Sequence, residues 1–281
     1  GELAAVQQAA ARFEVLGGWL IPSLVSIDNI TNDPTMFPPD VVAGAARMIP
    51  IIGHVDGANG SKFRTDLYLY NSSHLLRNVR FSAKPLDSNE SETVVTFTLL
   101  PFESKLIPDV YKTAFAKEGT GRLRFQSGQQ AETEGIRVSA RIYTEAPDGG
   151  TYGFVMPALN AFQSAGPGES LEIIGAVIDE RFRTNLALVD TAAFANGGVR
   201  RVRVEVFGTG RELLDSFETQ VRVAGGMQLA DLFTNRGLSR AGSTPVIIRV
   251  SPLDGLVGAF ATLIDNRTND PMYLGAGLLS Q

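Results

Sequence analysis

The chain contains no cysteine among its 281 residues. Disulfides, thiolate nucleophiles and cysteine-based zinc sites are therefore excluded. Histidine is nearly absent, with His54 and His74 alone, so a zinc site or a Ser-His-Asp triad would have to assemble around one of these two. His54 lies in an apolar strand pattern and His74 in a turn. No G-x-S-x-G, H-E-x-x-H or P-loop pattern occurs. An excess of basic charge is missing as well: the net charge is −5, which argues against nucleic acid as a partner. No apolar run approaches the roughly 18 residues of a membrane-spanning helix. Zero cysteine does not fix a compartment. The chain opens Gly1-Glu2 rather than with Met, so it reads as a processed piece, and the lack of a signal peptide carries no information.

What is present is a repeat. IDNITNDP at 27–34 returns as IDNRTNDP at 264–271, with seven of eight positions identical and 237 residues between them. Half that spacing relates other segments. KFRTDLYLYNSS from Lys62 is answered by RFRTNLALVDTA at 181–192, MIPIIGHV by LEIIGAVI, RNVRFSAKPL by VRRVRVEVFG, and PDVYKTAFA by ADLFTNRGL. Glycine (29) and proline (14) are dispersed between short apolar runs, the pattern of an all-β sandwich. The strand from Lys62 alternates cleanly: Phe63, Thr65, Leu67 and Leu69 lie on one face, Arg64, Asp66, Tyr68 and Tyr70 on the other.

These periods predict an all-β fold of two tandem immunoglobulin-like β-sandwich modules, each with one short helix. A helix-plus-strands half-module precedes them. The expected boundaries are a partial repeat at 1–46, a module at 47–159, a linker at 160–170 and a module at 171–281. The half-module holds a helix at 2–12 and two strands, FEVLGG and WLIPSLVSI. Its apolar residues, Trp19, Leu20, Ile21, Leu24, Val25 and Ile27, lack a front half to cover them. It therefore packs on a neighbouring module, docks on another chain, or is a severed remnant.

FRT(D/N)L, the mid-module Asp-(Val/Leu)-(Tyr/Phe) and the closing Asn-x-Thr-x-Asp with TYG or MYL resemble tandem immunoglobulin-like repeats of about 120 residues in secreted bacterial proteins. The resemblance implies an extracellular or cell-envelope location and a non-catalytic role in interaction, adhesion or spacing. Residues 144–151, TEAPDGGT, depart from the closing motif.

The candidate sites follow. Asp28, Asn29, Asn32 and Asp33, and likewise Asp265, Asn266, Asn269 and Asp270, gather oxygen-bearing side chains as calcium requires. The same residues equally make Asx-turns before a proline. No other cofactor is expected. Arg64 beside Asp66 suits an ion pair or, less simply, a ligand. Tyr68 and Tyr70 on a polar face suit either stacking on a sugar ring, as in a carbohydrate-binding module, or packing against a neighbour. The expected partners are a protein or a cell-surface polysaccharide, with self-association through residues 1–46. No enzymatic activity, nucleic-acid partner or membrane span is expected.

Overall fold

The computed structural model describes residues 23–37, 47–126, 135–159, 163–192, 198–239 and 243–279, together with Leu16. The expected helix at 2–12, the FEVLGG strand apart from Leu16, and Trp19, Leu20 and Ile21 lie outside the described residues.

The alternation read from Lys62 onward is realised. In β4 (Lys62–Asn71) Thr65, Leu67, Leu69 and Asn71 are buried while Arg64, Asp66, Tyr68 and Tyr70 are half-exposed. A strand with one face on a core and one face near solvent folds in this way because its side chains point alternately up and down. The fold is all-β and sandwich-like. A short hairpin, β1 (Leu24–Ile27) with β2 (Pro34–Phe37), leads into the first module. That module comprises β3 (Arg47–Asp56), β4, β5 (Arg77–Pro85), β6 (Thr93–Leu99), β7 (Ser104–Ile107), the helical turn α1 (Val110–Thr113), β8 (Gly119–Gln126), β9 (Ile136–Glu145) and β10 (Thr151–Met156).

The order then repeats. The second module has β11 (Leu171–Ile178), β12 (Phe182–Asp190), β13 (Val199–Gly208), β14 (Leu213–Arg222), β15 (Gly226–Leu229), α2 (Leu232–Asn235), β16 (Thr244–Pro252), β17 (Val257–Asp265) and β18 (Pro271–Leu278). In the first module β6-β5-β8-β3 forms one layer and β10-β9-β4 the other, with β7 on β4 and the end of β3 crossing to pair with β4. In the second, β14-β13-β16-β11 and β18-β17-β12-β15 are joined through β11 and β18. The register of β3 on β8 shifts between Ile49 and Ile52, and β11 on β16 shifts at the matching place, between Ile173 and Ala176.

The two cores fill with the inward residues of these strands. Leu67, Phe81, Leu123 and Met156 are buried in the first module, and Leu186, Val204, Ile248 and Ala261 in the second. The first core does not stop at the module boundary, since Ala187 and Phe260 of the second module belong to the same apolar cluster. Residues at the boundary are likewise packed: Leu159 bridges Met48, and Ala165, fully buried, bridges Val257.

The repeated motifs have a structural meaning. Asp109 and Asp231 sit in left-handed backbone, each with φ of 44°. That conformation costs about 1 kcal/mol for a residue other than glycine. The fourth residue of each FRT(D/N)L motif answers it, because Oδ1 of Asp66 accepts the Asp109 N–H at 2.9 Å and Oδ1 of Asn185 accepts the Asp231 N–H at 2.9 Å. The two residues that follow, Val110-Tyr111 and Leu232-Phe233, then turn inward and plug the core.

Candidate functional site

The most developed functional feature is the junction between the modules and its counterpart at the N-terminal hairpin. It begins with an edge. Strand β10 pairs with β9 on one side, and the backbone groups of Thr151 and Gly153 face outward on the other. An open edge of this kind invites pairing with another chain. Here side chains of the hairpin cover it. Oδ2 of Asp28 accepts the Thr151 N–H at 2.9 Å, and Thr31 Oγ1 donates to the Thr151 carbonyl at 2.9 Å. Two residues on, Oδ2 of Asp33 accepts the Gly153 N–H at 2.8 Å and Thr35 Oγ1 donates to the Gly153 carbonyl at 3.4 Å. Four side chains thus take the place of a neighbouring strand. Arg141 links the two, donating to Thr35 Oγ1 and Thr151 Oγ1.

The two acidic loops are hairpin turns of one geometry. Asn32 N–H bonds Asp28 C=O at 2.8 Å and Asn269 N–H bonds Asp265 C=O at 2.8 Å, with Asn32 and Asn269 left-handed at φ 57° and 61°. Asp28 Oδ1 accepts from the Ile30 and Thr31 N–H groups, and Asp265 Oδ1 from Arg267 N–H. These backbone donors hold the Asp28 carboxyl far below the usual carboxylate range. Asn29 is exposed. Asn266 and Asn269 each accept from Arg183, at 2.7 and 3.0 Å. Among the described residues no group of three or more His, Asp or Glu is gathered that could hold a metal ion. Asp33 and Asp270 shift the other way from Asp28 and Asp265: burial raises both carboxyls, and Asp270, with Asp33 and Asp265 nearby, is pushed up to about 6.

Arg64 donates to the Val55 and Phe63 carbonyls and reaches Asp56 at 3.4 Å, tying β4 to the end of β3. Tyr68 meets Phe37 of the hairpin edge-on, ring centres 5.7 Å apart, and Tyr70 is half-exposed beside it on β4. His54 Nδ1 lies 2.7 Å from Asp109 Oδ2, while the hydroxyl of Tyr143 bonds Asp66 on the next strand.

Between the modules lies a cavity of about 550 Å³. Ile52, Phe63, Ile142 and Phe154 line it from the first module and Met227 and Ile264 from the second. Arg183, Asn185 and Asp231 are among its polar lining residues. Arg183 and Asn185 are already engaged there, by the 266–269 turn and by Asp231 N–H.

The contacts that seat the second module escaped the reading of the sequence. Arg122, fully buried, donates to the Ala224 carbonyl at 2.8 Å and pairs with Glu92 at 2.6 Å. Gly226 N–H bonds Leu86 C=O at 3.0 Å, and Arg222 reaches Asp87 and Asn89. Met48, Leu86, Leu159 and Val189 form a small apolar cluster across the boundary. Gly226 is required by closeness, because a Cβ there would lie 2.9 Å from both Leu188 O and Leu86 Cδ1. Gly225-Gly226, standing where the first module has Glu103-Ser104, was the available signal.

No protein-family model matches the chain, and no curated protein matches it either.

Proposed function

We propose that the chain is a non-catalytic spacer and interaction protein of the extracellular space or cell envelope, in which β-sandwich modules are stacked with fixed geometry. One observation carries this reading. The second module is held to the first by the Gly226–Leu86 backbone hydrogen bond, by bonds from Arg122 and Arg124 to its backbone carbonyls, by the exposed Arg222–Asp87 ion pair and by a shared apolar core, not by a free linker. Flexible arrays of domains have small polar interfaces, and relative motion is their default. A boundary stitched by Gly226 to Leu86 and by Arg122 to Ala224 supports the opposite, a body that transmits position from end to end.

Binding of a polysaccharide is the weaker alternative, because Tyr68 is engaged by Phe37 and its counterpart in the second module is Ala187. Among the described residues no helix is long and apolar enough to cross a membrane. Small-angle scattering of the full chain tests the reading. A single rigid arrangement of the two modules should fit the profile at low and high salt. A profile that only a freely hinged ensemble fits would refute it.

A further inference from the structure

The cap that the second module presses onto the first has a twin at the far end of the first module. Pairing of β4 with β7 (Leu67 with Ile107, Tyr70 with Ser104) matches pairing of β12 with β15 (Leu186 with Leu229, Val189 with Gly226). The loop before β7 and the loop before β15 share one backbone: Glu103 N–H bonds Leu100 C=O at 3.1 Å, and Gly225 N–H bonds Arg222 C=O at 3.0 Å. Phe102 and Ala224 are both left-handed, at φ 60° and 52°. Leu100, Phe102 and Tyr70 therefore stand where Arg222, Ala224 and Val189 stand at the internal junction. There, Val189 is buried and Arg222 and Ala224 are half-buried. Here the surface is open: Leu100 is 57% exposed, Phe102 46%, and the adjacent Leu75 61%.

The receiving face is also duplicated. Lys84 pairs with Arg122 on the outer side of the first module's sheet, and Phe207 pairs with Ile247 at the same register on the second. Arg122 is the residue that grips Ala224. Its counterpart Ile247 is apolar, as is Phe207 in place of Lys84, and Ile174 on the same sheet is 69% exposed. The two sides have changed together. Where the internal face offers arginine, the cap offers a backbone carbonyl and Arg222. Where the open face offers half-exposed Ile247 and Phe207, with Arg249 lying over the Phe207 ring at 4.7 Å, the open cap offers Leu100 and Phe102.

We infer that the outer sheet of the second module docks on the cap of the first module of another copy, so that chains add head to tail in the arrangement of the internal junction, with Ser104 and the smaller Thr209 where Gly226 and Leu86 meet. This interface is heterologous, and such contacts extend linearly unless their rotation closes a ring. The inference rests on the stacked-module reading above. The N-terminal hairpin regulates it. Phe37 occupies the register of Phe154, since Ile27 pairs with Pro34 as Glu145 pairs with Thr151. Phe154 clusters with Ala187, the counterpart of the Tyr68 that Phe37 covers. The resident hairpin thus fills the place that the closing β17–β18 hairpin of an incoming copy would take, and it must yield before that copy seats fully.

The absence of cysteine gives a clean test. Phe102→Cys with Ile247→Cys in one full-length chain marks the pair equivalent to Ala224 and Arg122. A short bis-maleimide should then produce a ladder of trimers and longer species, whereas either single variant stops at dimers. Unseating the hairpin with Gly150→Val should raise the ladder about tenfold, because more of the chain becomes competent to dock. Light scattering of the Gly150→Val chain without cysteines guards against a folding defect in the cysteine variants, and its mass should climb with concentration in steps of one chain. A strictly monomeric mass, with no ladder beyond dimers, overturns the inference. The scattering profile of that monomer still reads the stacked-module proposal separately.

Discussion

Asp66 shows how much one side chain of a repeated motif can carry. It accepts the N–H of left-handed Asp109 and the hydroxyl of Tyr143, so its loss leaves two donors and a strained turn without support. Asp66→Ala should cost about 2 kcal/mol in denaturant unfolding, the usual penalty for leaving buried donors unmade. Asn185→Ala should cost less, having one such donor. Asp270 acts in the opposite sense. Its folded pKa of about 6 lies above its unfolded value of 3.8, so the folded state binds the proton more tightly. The stability this gives is fully present below the unfolded value and is lost as pH rises toward 6. Asp270→Asn should therefore stabilise the protein at pH 7 by about 1 kcal/mol, discounted for partial solvent screening, and flatten the pH profile between about 4 and 6. An unchanged profile in a thermal-shift series would show that burial of this carboxyl is not what the geometry implies.

At the scale of elements, the strands were largely legible. Period-two alternation from Phe63 to Tyr70 gave β4 and its buried face, whereas in β12 both faces are buried from Leu186 to Asp190, because Ala187 and Val189 meet the first module. The short helices were legible from Asp-Val-Tyr and Asp-Leu-Phe, though each is only four residues long. The purpose of the 27–34 motif was not. Its Asp and Thr residues make Asx-turns, as their type suggests, but its two aspartates also reach a backbone edge more than 100 residues away. Local spacing holds no record of such a partner. The hairpin's seat is nevertheless testable, because a Cβ at Gly150 would lie 2.6 Å from Thr31 Cγ2 and 2.9 Å from Ile30 Cβ. Gly150→Val should detach the hairpin without unfolding the module, seen as faster amide exchange at Thr151 and Gly153. Unaltered exchange there would mean the edge is protected by something other than Asp28 and Asp33.

For the whole molecule, the sequence predicted modules but not the way they meet. Residues 160–170 look like a linker because glycine, proline and serine cluster there. Yet Ala165 is buried against β17, and the apolar cluster of the first module continues into Ala187 and Phe260. Burial across a boundary depends on how two folded bodies fit, and no period along the chain encodes it. The same contacts determine cooperativity. When two modules share a core and buried hydrogen bonds, breaking one exposes the other, so they unfold together.

Differential scanning calorimetry of the full chain tests this most directly. The account predicts one transition with equal calorimetric and van't Hoff enthalpies, which Gly226→Val splits into two by driving a side chain into Leu86. Two independent transitions in the unaltered protein would contradict it, leaving two domains joined only by a tether.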